Sequence, residues 1–336
     1  MKFEALIEHT RGPMAEIIHA GAVAVVDAKG NVVASVGDPH AMSFTRSTIK
    51  PFQALPFLQG GGIAHFGFTP QQTALLCASH NGEDMHITQV DDMLRKIGQP
   101  HTVLQCGCHV PLRFSYNGIA PPADLQFDER HNNCSGKHTG FVAFCLQHGL
   151  SLANHLAADH PLQVAIKHQI MRVTGASQSQ LVAGTDGCSA PNYAMPLSKL
   201  AYAFARLASG AHDSEFGEQF SVLASAMGQH PEMVSGTGRN DLAFTHAGRG
   251  DWITKIGADG VQVIASISRR EAIAIKVISG HMPALYAAAV ETMQQLGWLS
   301  DQQGELLKPW SHQTLLNARG IVVGEVKPCF TLTTAS

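Results

Sequence analysis

The chemistry that this sequence suggests begins with one polar stretch, "FTRSTIKPFQAL" at residues 44–55. Within it Ser47 precedes Lys50 by three positions, and residues three apart lie on one face of a helix. A lysine that has lost its proton can accept the hydroxyl proton of the serine, which then becomes a nucleophile. Pro51 predicts a tight or irregular first turn, a geometry common where nucleophiles are presented. The alternative is the polar start of an ordinary surface helix, since Ser-x-x-Lys is frequent by chance.

Two further short motifs extend this pattern. Ser-His-Asn at 79–81 ends a helical segment, and Lys-Ile-Gly at 255–257 falls on a predicted strand. Ser-x-x-Lys, Ser-x-Asn and Lys-x-Gly, in that order, resemble the active-site motifs of penicillin-binding proteins and serine β-lactamases. In such a set the first serine attacks a carbonyl carbon, while the second serine and the two lysines move protons. A backbone N–H of the last strand can bind the oxyanion.

The sequence predicts β-strands at both ends of the chain and helices between them, and these elements must position the motifs. Alternating apolar runs predict β-hairpins over 22–38 and 251–268, followed by a strand over 272–279. Helical apolar spacing occurs in four segments, 71–79, 137–149, 196–209 and 284–299. We therefore expect an α/β (α+β) fold whose sheet is built from N- and C-terminal strands, with a helical lobe between. The sequence predicts a single catalytic unit over 1–336 with two lobes, a sheet lobe at about 1–60 plus 240–336 and a helical lobe at about 61–239.

Composition argues against several classes of function. The chain has 336 residues, 45% hydrophobic and 15% charged, with a formal net charge of −3, so it carries no basic excess for nucleic-acid phosphates. No apolar stretch reaches the roughly 18 residues of a membrane span, and the charged N-terminus lacks a signal-peptide core. The seven cysteines are odd in number and scattered, a pattern typical of reduced thiols and not of a disulfide framework. We expect a cytoplasmic protein without a nucleic-acid or membrane partner.

Longer motifs resemble those of a known family. They occur in the same order as in that family: "TRSTIKPFQAL", "CASHNGEDMH", "CGCHVP", "NNCSGKHTG", "GTDGCSAPNYAMPL", "HPEMVSGTGR" and "KIGADG". From about residue 10 to about 325 the chain resembles the Rhizobium etli-type L-asparaginases, the thermolabile asparaginase II family. The resemblance implies a fold similar to serine β-lactamases and serine-dependent glutaminases. It also implies a homodimer that hydrolyses the side-chain amide of L-asparagine to L-aspartate and ammonia through an acyl-enzyme.

The catalytic residues implied by the resemblance form two Ser–Lys pairs. Ser47 with Lys50 is one pair, and Ser79 with Lys255 is the other. Ser47 is then the expected nucleophile and Lys50 its base. Ser79 would relay a proton, and Lys255 would assist protonation of the leaving group.

Three residues are weaker candidates for contacts with the substrate. Arg46, beside the nucleophile, could hold an α-carboxylate through a bidentate fork, and a structural ion pair is the alternative. In the polar stretch at 80–86, Glu83 could receive the α-ammonium group and His80 could contribute a hydrogen bond. The alternative is a solvated surface loop, which has the same polar composition.

A zinc site at Cys134, Lys137 and Cys188, with water in the fourth position, is implied by the resemblance alone. Thiolates suit zinc, but a lysine ligand must first lose its proton, and the spacing itself predicts only buried thiols and a surface lysine. The ion would orient the substrate or hold the pocket closed, because the Ser–Lys residues already supply a nucleophile. His138 and Asp186 stand beside ligands and are candidates to orient them.

Other functions remain open at the level of sequence. One extra methylene in a substrate is worth only about 1–3 kcal/mol, so glutamine is a possible substrate, as is a β-lactam. A non-catalytic amino-acid-binding or sensor protein would leave Ser47 idle. A metal-dependent hydrolase would instead use His80 and His86.

Overall fold

The computed structural model describes residues 3–334. The strands in this part of the chain are β1 (Glu4–Arg11), β2 (Met14–Asp27), β3 (Val32–Val36), β4 (Met42–Phe44), β5 (Val182–Thr185), β6 (Pro191–Pro196), β7 (Trp252–Gly257), β8 (Val261–Ser266), β9 (Glu271–Val277), β10 (Gln313–Leu316), β11 (Val322–Pro328) and β12 (Thr333–Thr334). The α-helices are α1 (Lys50–Gln53), α2 (Leu55–Gln59), α3 (Gly62–Phe66), α4 (Pro70–Leu76), α5 (Asp84–Lys96), α6 (Leu112–Tyr116), α7 (Ser135–Gln147), α8 (Pro161–Thr174), α9 (Leu197–Ser209), α10 (Gly217–Gln229), α11 (Pro231–Val234), α12 (Asn240–Gly248), α13 (Met282–Gln295) and α14 (Asp301–Leu307).

Two compact units divide the described residues. The sheet unit contains residues 3–48, 195–208 and 243–334. The helical unit contains residues 49–194 and 209–242.

One antiparallel sheet dominates the sheet unit. Its strands follow the order β10-β11-β1-β2-β9-β8-β7, and β3 pairs with both β2 and β12. The first half of the long strand β2 pairs with β1, and its second half pairs with β9 and β3. Both predicted hairpins are confirmed, as β2–β3 and β7–β8, and the predicted third strand is β9. In the second hairpin Lys255 lies opposite Val263.

The core of the sheet unit lies between the sheet and α13. The helix presents Leu285, Ala289 and Met293, all fully buried, to a cluster that includes Val25 and Ile273 from neighbouring strands. Apolar residues recur along the helix at intervals of three or four, so they form one face that the sheet removes from water. Each large aliphatic side chain buried in this way stabilises the fold by about 1.5–3 kcal/mol.

Helix α7 is the centre of the helical unit and is buried along most of its length. Two glycines allow α4 to approach it closely. A Cβ at Gly136 would lie 2.4 Å from the carbonyl oxygen of Leu75, and one at Gly140 would lie 2.7 Å from a side-chain methyl of Leu76. This close contact holds fixed the turn of α7 that carries Lys137.

The observed architecture confirms the expected mixed α+β fold. The predicted helices at 71–79, 137–149, 196–209 and 284–299 correspond to α4, α7, α9 and α13. Among the described residues, none of the helices has the length and apolar character that crossing a membrane requires.

Candidate functional site

Ser47 lies in a single 3-10 turn, Arg46–Ile49, that leads directly into α1. Arg46 has a φ of 47°, in the left-handed region that non-glycine residues seldom adopt. Pro51 occupies the first turn of the helix, and the irregular entry that it predicts is present. Ser47 is half-buried. The residue directly before Ser47 therefore has a strained backbone conformation, of the kind that concentrates at active sites.

The Lys-Ile-Gly motif forms the last three residues of β7, and this end of the strand packs against the turn that carries Ser47. A Cβ at Gly257 would lie 3.0 Å from the carbonyl oxygen of Thr45 and 3.2 Å from the Cβ of Arg46, which is tighter than an ordinary contact, so glycine favours this close approach of the strand. Lys255 is fully buried, and its Nζ donates to the carbonyl oxygen of Ile256 at 2.8 Å. The sheet unit thus brings the end of β7 beside the turn that carries the predicted nucleophile.

Lys50 is the first residue of α1 and is 1% exposed. Its Nζ donates to the carbonyl oxygen of Ala78 and, at 3.0 Å, to Oγ of Ser79, and it lies 3.5 Å from the carbonyl oxygen of Asn133. Ser79 is buried as well, and its N–H donates to the carbonyl oxygen of Val234 at 2.8 Å. The sequence assigned these residues to two separate Ser–Lys pairs. In the structure, Lys50 of one pair donates a hydrogen bond to Ser79 of the other.

Asn81 and Arg239 lie beside Ser79. The sequence indicated Asn81 only as part of the Ser-His-Asn motif, and Arg239 was not among the predicted site residues. Arg239 is 3% exposed, and its Nη1 donates to Oδ1 of Asn81 at 2.9 Å and to the carbonyl oxygen of Ser79 at 3.3 Å. Its guanidinium also lies 4.1 Å from the ring centroid of Tyr116. The signal that could have found it is the arginine at the end of "HPEMVSGTGR". A buried cation here adds positive potential near Ser79.

The arginine predicted to bind a carboxylate already has a carboxylate partner. Arg46 forms an ion pair with Asp259, which lies in the turn between β7 and β8 and is largely exposed. An ion pair with so exposed a partner is weak, so a substrate carboxylate could replace it at little cost.

Glu83 and His80 have different surroundings. Glu83 is half-buried, and its carboxylate accepts hydrogen bonds from the N–H and hydroxyl of Thr237 at 2.9 and 3.0 Å. His80 is fully buried; its Nδ1 accepts from the N–H of Gly82 at 3.1 Å, so its Nε2–H donates to Oγ of Ser135 at 2.8 Å. Burial lowers the pKa of His80 well below its usual value, so the ring is neutral. His80 holds the loop together through both nitrogens.

The geometry of His80 and His86 does not favour a metal site built on them. Their rings stack with centroids 5.0 Å apart. Nδ1 of His86 accepts from the N–H of Glu83 at 3.1 Å, and its Nε2 donates to the carbonyl oxygen of Glu232 at 2.9 Å. Since every nitrogen of both rings already has a hydrogen-bond partner, a metal ion would have to displace one of these bonds.

Cys134, Lys137 and Cys188 are brought together in the helical unit, and all three are buried. The Nζ of Lys137 donates to Sγ of Cys188 at 3.1 Å. A hydrogen bond from Cys134 lowers the pKa of the Cys188 thiol far below its usual range, and Lys137 lowers it further. Burial alone would lower the pKa of Lys137, but Cys188 and Cys134 raise it overall. Cys188 is therefore a thiolate paired with the lysine ammonium.

This donor set fits a zinc ion. A tetrahedral zinc with bonds of about 2.05 Å to nitrogen and 2.3 Å to sulfur separates the two ligand atoms by about 3.6 Å. The observed separation of 3.1 Å between Lys137 and Cys188 is close to that value. Binding would require Lys137 and Cys134 each to release a proton to the solvent, since the hydrogen bond to Cys188 and burial raise the pKa of the Cys134 thiol well above its usual value.

His138 and Asp186 lie where they can orient this group. His138 donates from Nδ1 to the carbonyl oxygen of Leu104 at 2.8 Å, and its buried Nε2 has no hydrogen-bond partner among the described residues. The His138 side chain also helps to lower the pKa of the Cys188 thiol. Burial, followed by the charge of Lys137, lowers the pKa of His138 to about 4. The Asp186 carboxylate adds to the raised pKa of Lys137.

Comparison with known proteins identifies the family to which this chain belongs. The family model for L-asparaginase II matches residues 7–328, a range that includes all of the candidate site residues. The chain belongs to the L-asparaginase II family. The predicted enzyme class, an asparaginase acting on the asparagine amide, is confirmed by this membership. No curated protein sequence matches the chain.

Proposed function

We propose that this family member hydrolyses the side-chain amide of L-asparagine to L-aspartate and ammonia, with Ser47 as nucleophile and Lys50 as base. The buried hydrogen bond from Lys50 to Ser79 carries the proposal. A fully buried lysine cation is costly, and proteins retain such groups mainly where their charge or proton has a use.

In the first step, Oγ of Ser47 attacks the amide carbon while its proton passes to the amine of Lys50, which must be neutral at that moment. The carbonyl oxygen becomes an oxyanion, for which a backbone N–H at the end of β7 is the donor that we propose. The C–N bond then breaks, and ammonia leaves with the proton that Lys50 took from Ser47, which passes through Ser79 with assistance from Lys255. Lys50 is then neutral again. The product is an ester between Ser47 and the side chain of aspartate.

In the second step, water attacks the ester carbon and gives its proton to the same base. The bond to Oγ breaks, the Ser47 hydroxyl regains its proton, and L-aspartate is released. We propose that the α-carboxylate of the substrate pairs with Arg46 in place of Asp259, and that its α-ammonium group binds Glu83, with His80 holding the loop that carries Glu83.

We also propose that Cys134, Lys137 and Cys188 hold one zinc ion, oriented by His138 and Asp186. When bound, the ion would supply positive charge that orients the substrate or keeps the pocket closed. Cys188 is already ionised, so Cys134 and Lys137 must each lose a proton for the site to form.

The finer features of the family resemblance are proposals too. They are Rhizobium etli-type membership, a fold like that of serine β-lactamases, a homodimer and a cytoplasmic location. All seven cysteines are free thiols, which supports a reducing compartment. Light scattering on the purified protein tests the dimer.

The decisive experiment measures ammonia release from L-asparagine by the wild type and by Ser47→Ala, with the exposed Ser214→Ala as the control. Ser47→Ala should lose all measurable activity and keep its circular dichroism spectrum and Tm, while Ser214→Ala should match the wild type. Bound metal is quantified in the same samples. Retention of most of the activity by Ser47→Ala would refute the nucleophile assignment.

Parallel assays with L-glutamine and a chromogenic β-lactam separate the alternatives that keep the same chemistry. We expect L-asparagine to give the highest kcat/KM. Binding of L-asparagine without turnover at any pH would instead indicate an amino-acid-binding or sensor protein.

A further inference from the structure

Three histidines that are far apart in the sequence meet in the sheet unit. His9 lies on β1, His19 lies on β2, and His281 directly precedes α13. In the register of the two strands, His19 is opposite Ile7 and His9 is opposite Ile17, so the two histidines are diagonal neighbours across the pair.

The three rings converge closely. The ring centroids of His9 and His19 are 4.9 Å apart, those of His9 and His281 are 5.3 Å apart, and those of His19 and His281 are stacked at 4.5 Å. One ring nitrogen from each histidine lies within 4.8 Å of the others. Tetrahedral zinc places its nitrogen ligands about 3.3 Å apart, so modest ring rotations bring all three onto one ion.

His19 already has the hydrogen bonding of a metal ligand. It is 7% exposed, and its Nδ1 lies 2.7 Å from Oγ of Ser279, to which it can donate. Its Nε2 is buried and has no hydrogen-bond partner among the described residues, and the same is true of Nε2 of His9. Metal-binding histidines commonly donate one N–H to a fixed acceptor and direct the other nitrogen at the metal. Two buried ring nitrogens without a hydrogen-bond partner need a ligand to satisfy them.

His281 must change its hydrogen bonding to take part. Its Nδ1 accepts from the N–H of Ala284 and so caps α13, at a long 3.2 Å. Binding a metal through Nε2 moves the ring proton to Nδ1 and gives up this cap. Burial, followed by the neighbouring rings, lowers the pKa of His19 to about 4, and burial also lowers that of His281. Neutral imidazole is the form that binds metals.

We propose that His9, His19 and His281 form a binding site for one divalent transition-metal ion of the zinc class. His9 and His281 are half-buried, so the ion and its remaining water ligand can reach the site. The ion joins β1, β2 and the beginning of α13, and it therefore stabilises the sheet unit. This set consists of imidazoles alone and belongs to the sheet unit, whereas Cys134 and its partners belong to the helical unit.

Metal titration of the full-length, metal-stripped protein tests the proposal without any reference to activity. Cu²⁺ is the first probe, because its electron paramagnetic resonance spectrum shows nitrogen hyperfine structure from imidazole ligands. We expect three equatorial nitrogens in the wild type. Co²⁺ is the second probe, because thiolate ligands give intense charge-transfer bands and imidazoles do not. We expect the absorption spectrum of bound Co²⁺ to include a component that shows d–d bands without charge-transfer bands. This component should persist in Cys188→Ser.

The variants are His19→Asn and His281→Asn, with the exposed His212→Asn as the matched control. His281→Asn keeps a side chain suited to capping α13 but removes the ligand, so it should remain folded even if His19→Asn does not. We expect His281→Asn to bind Cu²⁺ at this site at least about tenfold more weakly and to lose the rise in Tm that Zn²⁺ gives the wild type. His212→Asn should match the wild type.

Unchanged Cu²⁺ spectra and unchanged affinity in His281→Asn would overturn the proposal. So would a wild-type Cu²⁺ spectrum without three nitrogen ligands. Failure of asparagine hydrolysis would leave these metal readouts unaffected.

Discussion

Lys50 donates a hydrogen bond of 3.0 Å to Oγ of Ser79, and both side chains are almost fully buried. Two motifs that are 29 residues apart are thereby joined through one ammonium group. This contact makes Lys50 the residue whose replacement is most informative about the chemistry.

Replacing Lys50 with arginine separates charge from basicity. Arginine keeps the positive charge but does not release its proton, so it cannot serve as a base. We expect Lys50→Arg to lower kcat for asparagine hydrolysis by about 10²–10⁴-fold, measured as ammonia release. The exposed Lys308→Arg is the control. Full activity in Lys50→Arg would show that Lys50 acts only through its charge.

Replacing Cys188 removes the counter-ion of a buried cation. Cys188→Ala leaves Lys137 charged and unpaired at 3% exposure, which should lower the free energy of unfolding of the metal-free protein by about 3–5 kcal/mol. The variant should also lose the zinc that we propose at this site, measured by elemental analysis.

Cys145→Ala is the matched control for that experiment. Cys145 lies in the same helix as Lys137, and burial raises the pKa of its thiol to about 12, so it is neutral. Its removal should cost about 1 kcal/mol and leave the metal content unchanged. Equal losses in Cys188→Ala and Cys145→Ala would contradict the ion pair.

The buried histidine His80 should make the protein sensitive to acid. Its pKa in the folded state is lowered by burial and by the neighbouring His86 and Lys50, while the unfolded value is near 6.5. Above pH 6.5 neither state carries the proton, so the stability that His80 contributes is complete. As the pH falls below 6.5, only the unfolded state gains the proton, and stability falls by about 1.4 kcal/mol per pH unit.

Urea denaturation between pH 7 and pH 5 measures this slope. We expect His80→Gln to be less stable at pH 7 but to show a shallower slope, by up to one proton. His212→Gln, at an exposed position, should keep the wild-type slope. An identical slope in His80→Gln would mean that His80 is protonated in the fold.

The contact between α4 and α7 should tolerate no side chain at Gly136. A Cβ there would lie 2.4 Å from the carbonyl oxygen of Leu75, so Gly136→Ala must push the helices apart. We expect a loss of about 1–3 kcal/mol in the free energy of unfolding, from urea denaturation. Gly228 in α10 has no atom within 4 Å of such a Cβ, so Gly228→Ala should be neutral or stabilising by up to about 1 kcal/mol. Similar values for the two variants would contradict the close packing.

Local features of this protein were predictable from its sequence. The hairpins β2–β3 and β7–β8 follow from alternation and turn residues within about 18 positions, and the buried face of α13 follows from helical spacing. The irregular turn at Ser47 follows from Pro51. Each of these features depends on forces between residues that are near one another in the chain.

Long-range contacts were decided only by the tertiary structure. The bond between Lys50 and Ser79, the approach of Arg239 to Ser79, and the convergence of Lys137 and Cys188 have no local pattern, and the last was anticipated only through resemblance to a family. The proximity of His9 and His281 was also not predictable from the sequence, since nothing in the segment around one histidine indicates contact with the other. A sequence specifies how each segment can fold on itself, whereas contacts between distant segments form only when burial of the whole core holds them together.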